Sequence, residues 1–177
     1  MLDNIILGFL QTKKLTAYDI KKAMEQSISY FYSNSFGSIN PALKKLEKQQ
    51  YVVCKEVIEN SRVKKYYKIT KAGREVYSNW IKEPISIGRI KEESLVRLFF
   101  MGDNDNDSRN KIIFDYINSM IETQKTLKQL KEHFSQIEVP EESLEKVKFQ
   151  LATLDFGIDY YNFTSKWFKK LIPKGNK

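Results

Sequence analysis

The side chains of this sequence that could do chemistry are mostly cations, and the chemistry that they support is the binding of a polyanion. The chain has 177 residues, with 30 Lys and Arg against 22 Asp and Glu. Residues 1–83 contain 15 of these cations and only 8 of the acids. Nine of these 15 cations form two groups, one at residues 44–48 and one at residues 62–74. Such an excess suggests a polyanionic partner, although a solvated surface without specific contacts would carry the same charges.

The residue types that most catalytic and metal sites require are scarce. Cys54 is the only cysteine and His133 the only histidine, which excludes an internal disulfide and a zinc site built from Cys and His. Aspartate occupies every second position of residues 103–107, as at the start of an EF-hand calcium loop. However, Ser108 and Phe114 stand where that loop requires glycine and glutamate. No glycine-rich phosphate-binding loop is present. We therefore expect no enzyme, no metal site and no cofactor.

Three helices are predicted in the part of the chain that precedes the second cationic group. Apolar side chains recur at helical spacing over residues 2–11, after Thr16 and again after Ser38. Thr16 and Asp19 have the form of a capping box, which predicts that the second helix begins there. Ser38 is the expected N-cap of the third helix, because Pro41 then falls in the first turn, where a missing N–H is tolerated.

A β-hairpin and a fourth helix are predicted next. Residues 51–59 and 63–70 are rich in β-branched and aromatic side chains, and residues 60–62 between them suit a turn. Thr70 is a predicted N-cap, and Pro84 closes the helix that follows. The order of three helices, a basic hairpin and a helix is that of a winged helix-turn-helix.

The two cationic groups fall on the two elements that contact DNA in such a fold. The third helix can enter a major groove, and the hairpin can reach the adjacent backbone or minor groove. Opposite the apolar side of the third helix, Asn40, Lys44 and Lys48 follow one another at i, i+4 and i+8. This face is therefore a candidate for the DNA groove, and the agreement of charge with topology supports it.

Sequence motifs in the same region point the same way. They are Tyr18-Asp-Ile-Lys-Lys22, Phe36-Gly-Ser-Ile-Asn-Pro-Ala-Leu-Lys-Lys-Leu-Glu47 and Arg62-Val-Lys-Lys-Tyr-Tyr-Lys-Ile-Thr-Lys-Ala-Gly73. Together they resemble the PadR family of bacterial transcriptional regulators. Residues 91–100 resemble the start of the helical C-terminal region of its longer members. The motifs cover most of residues 2–100; beyond that the likeness is one of length and helical pattern.

The resemblance implies a dimeric, usually repressing, DNA-binding protein whose affinity for DNA responds to a small molecule. Together with the polar face of the third helix described above, the resemblance gives eight candidate DNA-binding residues: Ser38, Asn40, Lys44, Lys45, Lys48, Arg62, Lys64 and Lys65. The sequence departs from the family pattern at three positions. Asn40 replaces the usual tyrosine, Ala17 replaces a glycine, and Gln50 replaces the glycine that often ends the third helix. We hypothesise that Asn40 pairs with adenine instead.

The second half is predicted to form two long helices, residues 109–134 and 141–172, separated by Pro140. Each carries apolar residues at heptad spacing, as in a coiled coil. The second helix also carries an aromatic stripe, which is a candidate dimer interface because so large a patch is rarely left exposed: Phe149, Phe156, Tyr160, Phe163 and Trp167.

The aromatic stripe has two alternative roles that the sequence leaves open. It could pack within the same chain against Trp80, Leu95, Leu98 and Phe99. Alternatively, four of its members could line a pocket for a small aromatic or apolar effector: Phe156, Tyr160, Phe163 and Trp167.

The sequence as a whole predicts a mainly α-helical protein with one small β-hairpin. Residues 1–83 would form a winged helix-turn-helix DNA-binding domain, and residues 84–177 a helical, coiled-coil-like dimerisation domain. We expect a homodimeric regulator, a repressor on a palindromic operator in double-stranded DNA. The competing hypothesis is a winged-helix module that binds protein or RNA. The apolar run at residues 5–10 is too short to cross a bilayer, so we expect a cytoplasmic protein without membrane contact.

Overall fold

The computed structural model of the protein describes residues 1–32, 36–59, 61–88 and 92–173, with the side chain of Phe36 excepted. Asn60 and Lys91, which belong to the predicted turn and to one of the motifs, lie outside the described residues. The chain divides into two compact units, Met1–Gly88 and Arg89–Lys177. None of the helices within the described ranges combines the length and apolar character that a membrane span needs.

The described residues of the first unit form four α-helices and one hairpin in the predicted order. The elements are α1 (Leu2–Phe9), α2 (Ala17–Ser27), α3 (Ile39–Lys48), β1 (Val52–Glu59), β2 (Arg62–Ile69) and α4 (Lys71–Lys82). This confirms the prediction of a mainly α-helical fold with a small antiparallel hairpin, and the arrangement is a winged helix-turn-helix.

Local hydrogen bonds set where two of these helices begin. The Thr16 hydroxyl accepts from the Asp19 amide at 3.1 Å, and the Asp19 carboxylate accepts from the Thr16 amide at 3.0 Å, which confirms the predicted capping box. Thr70 caps α4 by accepting from the Gly73 amide at 3.1 Å. Ser38 occupies the N-cap position of α3, but its side chain forms no capping bond because a turn of 3-10 helix already leads into α3.

The end of α3 is a left-handed turn made without glycine. The Gln50 amide donates to the Glu47 carbonyl and the Tyr51 amide to the Leu46 carbonyl, each at 2.9 Å. This is the bond pattern of a Schellman motif, whose key residue adopts positive φ. That residue is Gln50, with φ of 61°.

One apolar core holds the first unit together, and α3 is central to it. Ile39, Ala42, Leu43 and Leu46 of α3 are all buried, so one side of this helix is fixed against the core and the other faces solvent. The remaining buried members come from α1, α2, the hairpin and the segment between α1 and α2: Ile6, Leu7, Leu10, Leu15, Ile20, Met24, Val52, Tyr67 and Ile69.

The hairpin is fixed to the rest of the unit by its core-facing residues and by a short bridge. Its register pairs Val52 with Ile69 at the base and Glu59 with Arg62 at the tip. Leu15, just before the N-cap of α2, exchanges two backbone hydrogen bonds with Tyr67 at 2.9 and 3.1 Å. The base of the hairpin is therefore held beside the N-terminus of α2.

The α-helices that the structure describes in the second unit are α5 (Glu93–Phe100), α6 (Asn106–Ser135) and α7 (Leu144–Lys169). The two long helices are antiparallel, since Tyr116 contacts Phe168 edge to face at one end and Lys131 forms an ion pair with Asp155 toward the other. Buried residues between them include Ile113, Ile117, Met120, Leu127 and Phe168.

Candidate nucleic-acid interface

The solvent-facing side of α3 carries most of the residues that were predicted to contact DNA. Asn40, Lys44, Lys45 and Lys48 are exposed, while Ser38 is half-buried. Because the opposite side of the helix is locked into the core, these side chains cannot rotate inward without unfolding the helix. Within the described part of the chain, Lys44 and Lys48 have no ion-pair partner.

Lys45 differs from the other lysines of α3. Its ammonium group is 2.6 Å from the carboxylate of Asp3 in the first turn of α1. This hydrogen bond and the negative charge of Asp3 raise the pKa of Lys45. Lys45 therefore joins α3 to α1, and a phosphate that bound Lys45 would have to replace Asp3 as its partner.

The cations of the hairpin are paired in the same way. Lys64 lies 2.7 Å from the Glu59 carboxylate, and Lys65 lies 2.9 Å from that of Glu56. Both bonds raise the pKa of the lysine concerned. Arg62, at the tip, is exposed and has no ion-pair partner among the residues that the structure describes.

Tyr66 connects this charged surface to the segment that precedes α2. Its hydroxyl donates to the Glu59 carboxylate at 3.1 Å, and the ammonium of Lys14 sits 4.6 Å from the centre of its ring. Lys64 and Tyr66 together lower the pKa of Glu59. Lys14 and Tyr66 were not among the predicted site residues, although the alternation of Lys64 and Tyr66 on one face of the strand was a usable signal.

A groove of about 490 Å³ brings α3, the hairpin and the start of α2 together. Asn40 lines it from α3, and Lys64 and Lys65 line it from β2. The remaining lining residues come from the N-terminus of α2 and from the hairpin base: Thr16, Ala17, Tyr18, Asp19, Tyr66 and Tyr67. An amide side chain that can read a base edge thus shares one concave surface with two lysines that can bind phosphates.

The tip of the hairpin also exposes apolar side chains. Ile58 and Val63 are paired across the strands, and they are 77% and 61% exposed. Strand periodicity predicts one buried face, so their exposure at the tip was not evident from the sequence. They extend the surface that the hairpin offers beyond its cations.

The aromatic stripe of α7 is divided between two environments in the second unit. Phe149, Phe156 and Phe163 are each about two-thirds exposed. Tyr160 instead donates a hydrogen bond to the Glu92 carboxylate, and burial together with this bond raises its pKa. Trp167 packs against a buried cluster that includes Phe168. The five predicted dimerisation residues therefore do not form one continuous exposed face.

Taken with the fold, these surfaces define a winged helix-turn-helix protein whose α3 and hairpin carry exposed cations. Residues 6–79 match the model of the Transcriptional regulator PadR-like family, and residues 90–174 match that of the Virulence activator alpha C-term. The match over residues 6–79 confirms the resemblance to the PadR-like family of transcriptional regulators that was drawn from the motifs of this region. That family is one of regulators and not of enzymes.

Individual relatives agree with this assignment. The chain is 28% identical over 99 residues to the negative transcriptional regulator PadR of Bacillus subtilis, and the match covers 54% of each protein. It thus spans about half the length of that curated relative. A PadR-like regulator from Bacillus cereus has a TM-score of 0.76 at 27% identity, covering 96% of this chain and 92% of that one.

Two structures of Bacillus subtilis PadR share the fold at lower identity. Its complex with operator DNA has a TM-score of 0.84 at 20% identity, covering 97% of both chains. Its complex with p-coumaric acid has a TM-score of 0.77 at 19% identity, covering 97% of this chain and 96% of that one.

Proposed function

We propose that this protein represses transcription by binding an operator in double-stranded DNA, with α3 in the major groove and the hairpin on the adjacent backbone or minor groove. The observation that carries the proposal is the shared groove, which is lined by Asn40 of α3 and by Lys64 and Lys65 of the hairpin. A regulator of this kind acts in the cytoplasm. The operator-bound structure of Bacillus subtilis PadR gives further support.

In this proposal, the cations supply affinity and α3 supplies sequence preference. Phosphate contacts position a protein on DNA without reading its sequence, whereas contacts to base edges distinguish one site from another. Asn40 is suited to the second role because an asparagine amide can bind adenine with two hydrogen bonds. The lysines of α3 and the hairpin suit the first role, so binding is expected to weaken steeply as salt rises.

Lys44 offers the sharpest test of the DNA contact, because it is exposed and unpaired within the described residues. We expect Lys44→Ala to weaken binding to a duplex from upstream of its own gene by roughly 5–10-fold and to lower the salt slope by about 0.9. Lys128, an exposed lysine of α6, is the matched control, and Lys128→Ala should change neither quantity. Equal effects of the two substitutions would contradict the assignment of α3, and preference for structured RNA over the duplex would favour the RNA-binding alternative.

The second part of the proposal is a homodimer formed through α7. Phe149, Phe156 and Phe163 recur every seven residues, which places them about 21 Å apart from first to last along one side of the helix. Three phenylalanines exposed in this way favour a partner helix as their cover. A two-fold dimer would present two copies of α3 to a palindromic operator.

Light scattering tests the dimer directly. Phe156→Asp should convert the protein to monomers, because a carboxylate cannot be buried between two apolar helices without a partner. Gln150→Asp is the control, since Gln150 is exposed on α7 about 120° away from the phenylalanine series. The dimer hypothesis fails if Phe156→Asp has the same mass in solution as the unmodified protein.

We further propose that a small aromatic or apolar effector changes DNA affinity, as the p-coumaric acid complex of Bacillus subtilis PadR suggests. Of the four residues predicted to line an effector pocket, Tyr160 and Trp167 are half-buried in the second unit, and Phe156 and Phe163 are exposed. Titrating p-coumaric acid into the DNA complex tests this, and unchanged affinity would exclude that compound as an effector.

A further inference from the structure

Three of the eight predicted DNA-binding residues are held by carboxylates of the same unit. Lys45 is bonded to Asp3, Lys64 to Glu59 and Lys65 to Glu56. The nitrogen–oxygen distances are 2.6, 2.7 and 2.9 Å, so each is a direct contact. The surface proposed to bind DNA therefore contains its own counter-charges.

On the hairpin, the strand register dictates this arrangement. The acids lie on β1 and their cations on β2, where Glu56 is directly opposite Lys65 and Glu59 is opposite Arg62. Lys64 reaches Glu59 diagonally across the strands, and Tyr66 holds the same carboxylate from the other side. Because Tyr66 fixes it, Glu59 remains beside the cationic surface even when Lys64 moves to another anion.

These pairs are exposed enough to exchange partners. The lysines and glutamates of the hairpin pairs all have side chains at least 38% exposed. Ion pairs in such positions are weak, so a phosphate held at the right place can replace the carboxylate. A carboxylate left nearby, however, still repels every phosphate that approaches the surface.

We propose that Glu56 and Glu59 are specificity-determining residues that suppress binding to DNA lacking the operator sequence. This rests on the proposed function. DNA without the operator is held by phosphate contacts alone, and there Lys64 and Lys65 stay with their glutamates. On the operator, base contacts from α3 hold the duplex close enough for the lysines to exchange partners. Removing the acids therefore strengthens binding to unrelated DNA more than binding to the operator.

The experiment compares two duplexes of equal length at several salt concentrations. One contains an operator selected by the unmodified protein from a randomised pool, and the other a shuffled sequence. The test variant is Glu56→Gln with Glu59→Gln, in which the amide oxygen at position 59 can still accept from Tyr66. The control is Glu93→Gln with Glu122→Gln, since these acids also pair with cations but lie on α5 and α6. This control variant removes the same number of negative charges, but from the second unit.

We expect the hairpin variant to bind the shuffled duplex about 10-fold more tightly. The salt slope should become steeper by up to about 1.8, because each additional phosphate neutralised contributes about 0.9. Binding to the operator should tighten less than 3-fold, and the control should change neither. Equal tightening on both duplexes, or none on the shuffled one, would overturn the inference while leaving the proposed function intact. If the unmodified protein selects no operator from the pool, the proposed function fails and the inference fails with it.

Discussion

Replacing Gln50 by glycine should stabilise this protein, although glycine usually destabilises a folded chain. Gln50 has φ of 61°, in the left-handed region, which costs a residue with a Cβ atom roughly 1–2 kcal/mol. Glycine avoids that cost but loses roughly 0.5–1 kcal/mol through the greater freedom of the unfolded chain. We therefore expect Gln50→Gly to raise the free energy of unfolding by about 0.5–1 kcal/mol.

The neighbouring residue provides a matched control. Gln49 is also an exposed glutamine at the end of α3, but its φ is −80°. Glycine therefore relieves no strain at position 49, and Gln49→Gly should lower the free energy of unfolding by roughly 0.5–1 kcal/mol. The two substitutions have the same chemistry and opposite expected signs.

Urea unfolding measures the difference. Trp80 reports on the first unit when Trp167 is replaced by phenylalanine, because these are the only tryptophans in the chain. For a slope near 2 kcal/mol per molar urea, the expected stabilisation raises the midpoint by about 0.3–0.5 M. A lowered midpoint for Gln50→Gly, or equal shifts for both variants, would refute the assignment of a strained Schellman turn at the end of α3.

Two further predictions concern helix starts in the first unit. A Cβ atom at Gly73 would lie 2.1 Å from the Tyr51 carbonyl oxygen. Gly73→Ala should therefore destabilise the first unit by roughly 3 kcal/mol, which is a large effect for one methyl group. Urea unfolding measures this loss. Hydrogen bonds from Thr16 lower the pKa of Asp19. The ionised Asp19 carboxylate therefore stabilises the folded protein at neutral pH, and this stabilisation is lost as the pH falls through about 4 and below. Thermal unfolding of Asp19→Asn between pH 6 and pH 3 should therefore show a shallower loss of stability than that of the unmodified protein.

The parts of the fold that sequence could predict are those that depend on nearby residues. The capping box at Thr16 and the cap at Thr70 involve partners three positions away in sequence. Local sequence patterns therefore predict both caps without any knowledge of tertiary structure. The buried face of α3 follows from apolar spacing alone. The order of elements then restricts the topology, because a hairpin between the third and fourth helices suits few folds.

The pairing of the cations could not be predicted in the same way. Lys45 and Asp3 are 42 residues apart in sequence, and they meet only because α1 and α3 pack against each other. Glu56 and Lys65 meet because of the strand register, which would change if the turn were one residue longer. Counting charges locates a cationic region, but it does not show which cations are already neutralised.

The aromatic stripe illustrates a different limit. Its five members lie within about 60° of one another around α7 at 100° per residue, so helical geometry treats them as one face. Their environments differ because neighbours cover only some of them: Glu92 binds Tyr160, and Trp167 packs, as Leu98 does, against the buried cluster of the second unit. The position of the segment around α5 against α7 depends on tertiary packing. This position decides which aromatic side chains of α7 remain exposed.

The hairpin register links the stability of the first unit to its charge pattern. Side chains alternate between the two faces of a strand, so burying Tyr67 and Ile69 fixes the face on which Lys65 lies. The same register places Glu56 opposite Lys65. A slip of one residue would expose the buried tyrosine and separate the ion pair at once. The counter-charges on the proposed DNA-binding surface are therefore specified by the packing that stabilises the fold, and changing them selectively requires substitution of side chains rather than movement of the strands.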